Sequence, residues 1–280
     1  MNKLTTLLSL IFSAIPSLSA QDNIHKNYTQ FETHKKGTVF FYWGWNEENY
    51  STSNIHFWGN NYDFTLKNVE AKDRQSNFDP NLYFGITNIT IPQYNWRIGY
   101  YISNKYQISV GFDHMKYVMV NDQQSTIDGY IHNGSQFDGD YSNQDFKIAQ
   151  NFLLFEHTDG LNYINAEIRR AHHVYSNKYI SLNVNGGLGA GILFPKTNAT
   201  LMKNDRNDEW HVSGFGLAGV AAAQLKFKKR LFIQSEIKAG YINMPDIKAT
   251  KFATDKASQQ FEFLQYNIVF GAEFPLFSEK

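Results

Sequence analysis

The segment Gln93–Ile102 alternates without a break. Tyr94, Trp96, Ile98, Tyr100 and Ile102 form one row, and Gln93, Asn95, Arg97, Gly99 and Tyr101 form the other. Side chains on a strand alternate between faces, so this is a strand with one apolar and one polar face. The apolar row is aromatic and uncharged, and the polar row carries an arginine. In a soluble sandwich the apolar row would be core. In a membrane barrel it faces lipid and the polar row faces the lumen.

The pattern recurs. Expected strands are Gly37–Asn46, Gln93–Ile102, Tyr106–Val120, Leu161–Tyr175, Tyr179–Phe194, His211–Phe227, Leu231–Met244 and Phe261–Phe277. Short turns at Ser103-Asn104-Lys105, Ser176-Asn177-Lys178 and Lys228-Lys229-Arg230 join three pairs of them. Long segments separate the pairs: Glu47–Pro92, Asn121–Gly160, Pro195–Trp210 and Pro245–Gln260. Short turns at one end and long loops at the other match the asymmetry of outer-membrane barrels, with the short ends periplasmic. The fold class expected is therefore all-β, a transmembrane up-and-down antiparallel barrel of eight strands. Ile55–Leu66 and Phe146–Phe155 are also strand-like. They either extend hairpins above the membrane or raise the number of strands to ten or twelve. Inward glycines at 187, 189 and 191 would relieve crowding in a narrow barrel.

Residues 1–20 have the pattern of a secretion signal. Lys3 supplies the charge, Leu4–Ile15 is mostly apolar, and a short small-residue region ends at Ala20. Gln21 is the working start of the mature chain, with cleavage after Ser19 as the alternative. A polar periplasmic lead-in, residues 21–36, precedes the barrel of residues 37–280. No later stretch is apolar for long enough to form a membrane helix. The mean hydropathy is negative, as it is for barrels whose strands each face a polar lumen on one side. The chain has no cysteine, which excludes disulfides and thiol chemistry. Its 26 basic and 26 acidic residues balance, which argues against nucleic-acid partners. Aromatics make up 16% of the chain, an excess that interfacial girdles account for.

Six charges lie on inward-facing rows: Arg97, Glu167, Arg169, Glu236, Lys238 and Glu273. They decide between a membrane barrel and a lipocalin-like cup of the same periodicity. Unpaired charges inside an apolar cup would be very costly, whereas in a polar lumen they can pair into a column. Such a column is expected to plug a lumen that, with eight strands, is only wide enough for its own side chains.

Several segments together resemble a family of largely uncharacterised bacterial outer-membrane β-barrel proteins. They are residues 42–46 (YWGWN), 62–66 (YDFTL), 111–117 (GFDHMKY), 155–163 (FEHTDGLNY) and 240–245 (GYINMP). The resemblance runs nearly end to end and implies a barrel in the outer membrane. It implies no particular activity. The C-terminal stretch Gly271–Phe277 also resembles the assembly signal of such barrels. It departs from that signal in Pro275 and in three further residues, Ser278–Lys280.

Candidate chemistry lies near the upper rim. His157, Asp159 and His114 are a base, its orienting carboxylate and a second polar contact for acyl chemistry on outer-leaflet lipid, with Thr158 or water as the hydroxyl. The competing reading is that His157–Gly160 is a turn. Lipid A deacylase barrels use a His-x-Ser arrangement that does not stand out here. His172 and His173 point to opposite faces and cannot share a metal. Asp205, Asp208 and Glu209 match no EF-hand spacing. No cofactor or metal is expected. Trp43 and Trp45 fit an aromatic girdle better than a sugar platform. The expected role is structural or ligand-binding, through Glu47–Pro92 and Asn121–Gly160. A lipid-modifying acyl hydrolase or acyltransferase is the first alternative and a narrow pore the second. Expected partners are outer-membrane lipid or lipopolysaccharide and, during biogenesis, the barrel assembly machinery.

Overall fold

A computed structural model describes residues 36–276, apart from 86, 89, 90, 203 and 229. The expected signal peptide, most of the lead-in, and Phe277 at the end of the expected closing strand lie outside the described residues.

Eight strands close into one ring in chain order: β1 (Thr38–Tyr50), β5 (Tyr94–Tyr101), β6 (Tyr106–Met119), β9 (Leu153–Ser176), β10 (Ile180–Leu193), β13 (Gly214–Phe227), β14 (Leu231–Lys248) and β15 (Lys256–Pro275). All neighbours are antiparallel, and β1 closes on β15 from Thr38↔Pro275 to Tyr50↔Phe263. This is the expected eight-stranded up-and-down barrel. Full closure leaves no ladder edge in the ring.

The short turns have local causes. The Ser103 hydroxyl accepts from the backbone N–H groups of Lys105 and Tyr106, at 3.2 and 3.0 Å. The Asn177 side chain does the same for Tyr179 and Ile180, at 2.9 and 3.0 Å. In the third turn Lys228 adopts a φ of 45°. Between β9 and β13, β10 needs its inward glycines. A Cβ on Gly187 would lie 2.0 Å from the Ile168 carbonyl oxygen, and one on Gly191 would lie 2.1 Å from that of Ile164.

The segments expected as long loops are largely folded. Glu47–Pro92 contains β2 (Ser53–Gly59), β3 (Tyr62–Val69), β4 (Ala71–Lys72) and a short helix α1 (Pro80–Phe84). Asp79 caps α1 by accepting from the Asn81 N–H at 2.9 Å, and Pro80 occupies its first turn. Asn121–Gly160 contains β7 (Gln123–Ile131) and β8 (Gly139–Ile148), and Pro195–Trp210 contains β11 (Lys196–Leu201) and β12 (Asn207–Trp210). Ile55–Leu66 is a hairpin and does not cross the barrel. Phe146–Phe155 is not one strand, because a turn at Ala149–Phe152 separates β8 from β9. The upper end of β15 pairs with β2, and β3, β7 and β8 follow. The upper part of β9 pairs with β11, and β11 with β12. The ring therefore continues upward into a dome of ring-strand extensions and added hairpins.

Chemistry changes between these two parts. Around the lower barrel the outward side chains are apolar and exposed, among them Ile98, Ile108, Val110, Ile168, Leu217 and Ile268, the last 55% exposed. The inward ones there are polar and buried: Asn95, Arg97, Ser109, Asp113, Asn165, Glu167, Asn185, Gln234 and Glu236. In the dome the relation inverts. Ile55, Phe57, Phe64, Leu66, Met115, Ile127, Phe155 and Met244 form one buried apolar core, under an outer surface of residues such as Lys67, Gln124 and Asp128.

Candidate functional site

The lower barrel's lumen is occupied by a connected ion cluster. β5, β9 and β14 each turn one long cation inward. Arg97 pairs with Glu167 at 2.8 Å. Arg169 pairs with Glu167 at 2.6 Å and with Glu236 at 2.6 Å. Lys238 pairs with Asp113 at 2.6 Å and with Glu167 at 3.0 Å. Three cations therefore meet three carboxylates. Neutral groups take up remaining capacity. Tyr42 Oη accepts from Arg97 Nε at 3.0 Å and from Arg169 Nη2 at 3.1 Å, and donates to Glu236 at 3.0 Å. Ser109 and Asn165 accept from Arg97, and Asn267 donates to Glu236 at 2.9 Å. Desolvating an ion costs several kcal/mol, and only close pairing with further hydrogen bonds offsets it. The cluster has both.

Of the six charges expected in the lumen, Arg97, Glu167, Arg169, Glu236 and Lys238 join this cluster. Glu273 lies nearer the short-turn end and pairs with Lys226 at 2.5 Å. Asp113, the third anion, was legible as inward-facing on β6 but was not expected in the network. Lys226 and Tyr42 were missed in the same way, although strand parity places both on inward rows.

The structure does not bring His157, Asp159 and His114 together. His157 is wholly buried in the dome, with Nδ1 3.0 Å from the Thr197 hydroxyl and its ring against Tyr117 and Phe155. Burial pushes its pKa down to about 3, so the ring is neutral. Asp159 is exposed on the outer surface and pairs with Lys196 at 3.0 Å. His114 faces outward, stacked on Tyr94, and Nδ1 lies 2.8 Å from Asn162 Oδ1. Thr158 donates to Glu156 at 3.0 Å. A bulge explains the separation. Tyr117 pairs with His157 and Met115 with Leu161, so β9 carries extra residues opposite Lys116. Gly160 takes a φ of 131° there, where a Cβ would collide with the Asn162 side chain. His157 points into the core while Asp159 is turned out.

The acidic residues near β12 are each neutralised. Asp205 pairs with Lys251, Asp208 with Lys196 and Arg206 at 3.3 Å each, and Glu209 with Lys248 at 2.6 Å. Among the described residues no three His, Asp or Glu side chains are grouped to hold a metal ion. Trp43 and Trp45 lie edge to face on the outer wall, with centroids 5.0 Å apart, and Trp45 also meets Tyr83 and Phe84 of α1.

No protein-family model and no curated protein sequence matches the chain. Solved structures with a similar barrel include outer membrane protein OprG from Pseudomonas aeruginosa, at 12% identity and a TM-score of 0.38, with 88% of this chain and 99% of that one covered. AlkL, determined in lipid bilayers, shows 12% identity and a TM-score of 0.41, with 92% and 100% covered. The attachment invasion locus protein Ail of Yersinia pestis, in complex with a heparin analogue, shows 9% identity and a TM-score of 0.33, with 85% and 99% covered.

Proposed function

We propose that this protein is an integral outer-membrane barrel whose lumen is closed to flow, and that its role is structural and ligand-presenting, carried by the dome on the external face. One observation carries the reading: a continuous apolar belt surrounds a lumen filled by paired ions. Outward Ile, Val, Leu and aromatic side chains left in water would form an apolar surface far larger than soluble monomers expose. In lipid they need no other cover. The ion cluster across the lumen and the buried apolar core in the dome support a plug over a pore. The short turns then face the periplasm, and β2, β3, β7, β8, β11 and β12 face outward, where loops and hairpins meet ligands.

Two measurements test this. The folded protein in detergent is expected to show heat-modifiable gel mobility and to need detergent or lipid to stay dispersed. Full solubility in buffer would overturn the membrane reading. In planar bilayers the wild-type protein is expected to be silent across voltages. Steady unit conductance from wild-type protein would overturn the plug.

A further inference from the structure

Above the ion cluster and below the dome core lies a tier of inward polar side chains with no internal explanation. Asn46 faces Asn267 across the β1–β15 ladder, and Glu48 faces Gln265 one step higher. Asn95, at the start of β5, lies beside Gly44 on the same wall. Gln93 reaches Glu48 by donating from its amide nitrogen. All six are buried, none more than 3% exposed. The oxygens Asn46 Oδ1, Glu48 Oε1, Gln93 Oε1, Asn95 Oδ1, Gln265 Oε1 and Asn267 Oδ1 have no hydrogen-bond partner, nor do the amide nitrogens of Asn46 and Gln265. Buried polar atoms are nearly always satisfied, so a cluster this dense calls for an occupant.

The charge balance says which kind. The cluster below is neutral without Glu48, and among the described residues no cation lies within ion-pair distance of the Glu48 carboxylate. Asp73 adds a second carboxylate, accepting the Glu48 backbone N–H at 3.0 Å. The donor set is carboxylate and amide oxygen, with no sulfur or imidazole, which suits a hard cation and not zinc or copper. β5 ends its ladder at Tyr94, and β1 above Trp45 is met on that side by the Gln93 carbonyl on the Asn46 N–H, by Asp73 on the Glu48 N–H and by Gln75 on the Asn46 carbonyl. Asp73 is itself only half buried.

We propose that this tier binds one hard divalent cation of the calcium class, held by the Glu48 carboxylate and the unpartnered amide oxygens around it, with the half-buried Asp73 beside it. The full chain, folded in detergent micelles and stripped with chelator, is titrated with Ca²⁺ and with Mg²⁺ by calorimetry and by thermal unfolding. Wild type is expected to bind one Ca²⁺ and to unfold at a temperature that rises with Ca²⁺ concentration. Glu48→Gln is expected to stay heat-modifiable, to unfold at a higher temperature than wild type without Ca²⁺, and to lose at least tenfold in Ca²⁺ affinity. Asp205→Asn, at an exposed pair, is expected to bind as wild type does. Absence of binding up to ~10 mM, well beyond the ~1 mM of weak extracellular sites, would leave water as the occupant and overturn the proposal. Equal binding by Glu48→Gln would also overturn it. An equal response to Mg²⁺ would overturn the calcium-class assignment.

Discussion

Along β15 the inward side chains read Glu273, Gly271, Val269, Asn267 and Gln265 in the lower barrel, then Phe263, Phe261 and Ala257 in the dome, with Gln259 the polar exception. The outward ones read Phe274, Phe270, Ile268 and Tyr266 below, then Glu262, Gln260 and Lys256 above. β14 behaves alike, with Glu236 and Lys238 inward below and Ile242 and Met244 inward above. The strands, the ladder and the side-chain phase are continuous, and the chemistry is inverted. The solvent outside the wall decides which face carries the apolar residues. In hydrocarbon the apolar row faces out and the interior must satisfy itself by pairing. In water the apolar row turns in and forms a packed core.

The comparison can be broken first at the ion cluster. Glu167→Gln leaves Arg97, Arg169 and Lys238 one carboxylate short, and is expected to destabilise the folded barrel by ~3–5 kcal/mol, the cost of an uncompensated buried charge. Equilibrium unfolding in lipid vesicles measures it, and a loss below ~1 kcal/mol would mean that water already screens the cluster. Next comes the outer surface. Val110→Arg, on the apolar belt, is expected to cost ~2–4 kcal/mol in a bilayer. Gln124→Arg, on the outer face of the dome, is expected to stay within ~0.5 kcal/mol. Equal effects would erase the distinction between the two walls.

A pH series separates the interiors. His157 has a folded pKa depressed from 6.5 to about 3. Its neutral form is favoured by folding, so the stability it supports is complete above pH ~6.5 and falls as acid is added toward pH ~3. His157→Gln is expected to flatten that fall, read by Tyr and Trp fluorescence during unfolding at several pH values. An unchanged slope would place the acid sensitivity elsewhere. The smallest expected effect is Ile127→Val in the dome core, ~0.5–1.5 kcal/mol by thermal unfolding, the signature of a packed apolar interior. No loss at all would mean that the dome core is loosely packed.

Much of the barrel was legible because period-two alternation is local. Arg97 on β5 and Glu167 on β9 were assigned to inward rows from their own neighbours in sequence. The dome was less legible, though its signal is present. In Phe261–Gln265 the alternation keeps its phase while polarity changes sides, and the expected first strand stopped at Asn46, two residues before Glu48. The rim residues were legible as residue types and not as geometry. His157 and Asp159 are two apart and alternation alone would place them on one face, but the bulge at Gly160 sends one into the core and the other to Lys196.

The amino-acid sequence by itself determined the strand pattern, the apolar belt and the inward rows, because each depends on parity and on turn chemistry over a few residues. Only the tertiary structure decided that Lys238 meets Asp113, that Lys226 takes Glu273, that four long segments fold into a dome, and that Glu48 sits above a cluster already neutral without it. Those outcomes depend on the register of strands far apart in the chain, and register follows from how the whole ring closes.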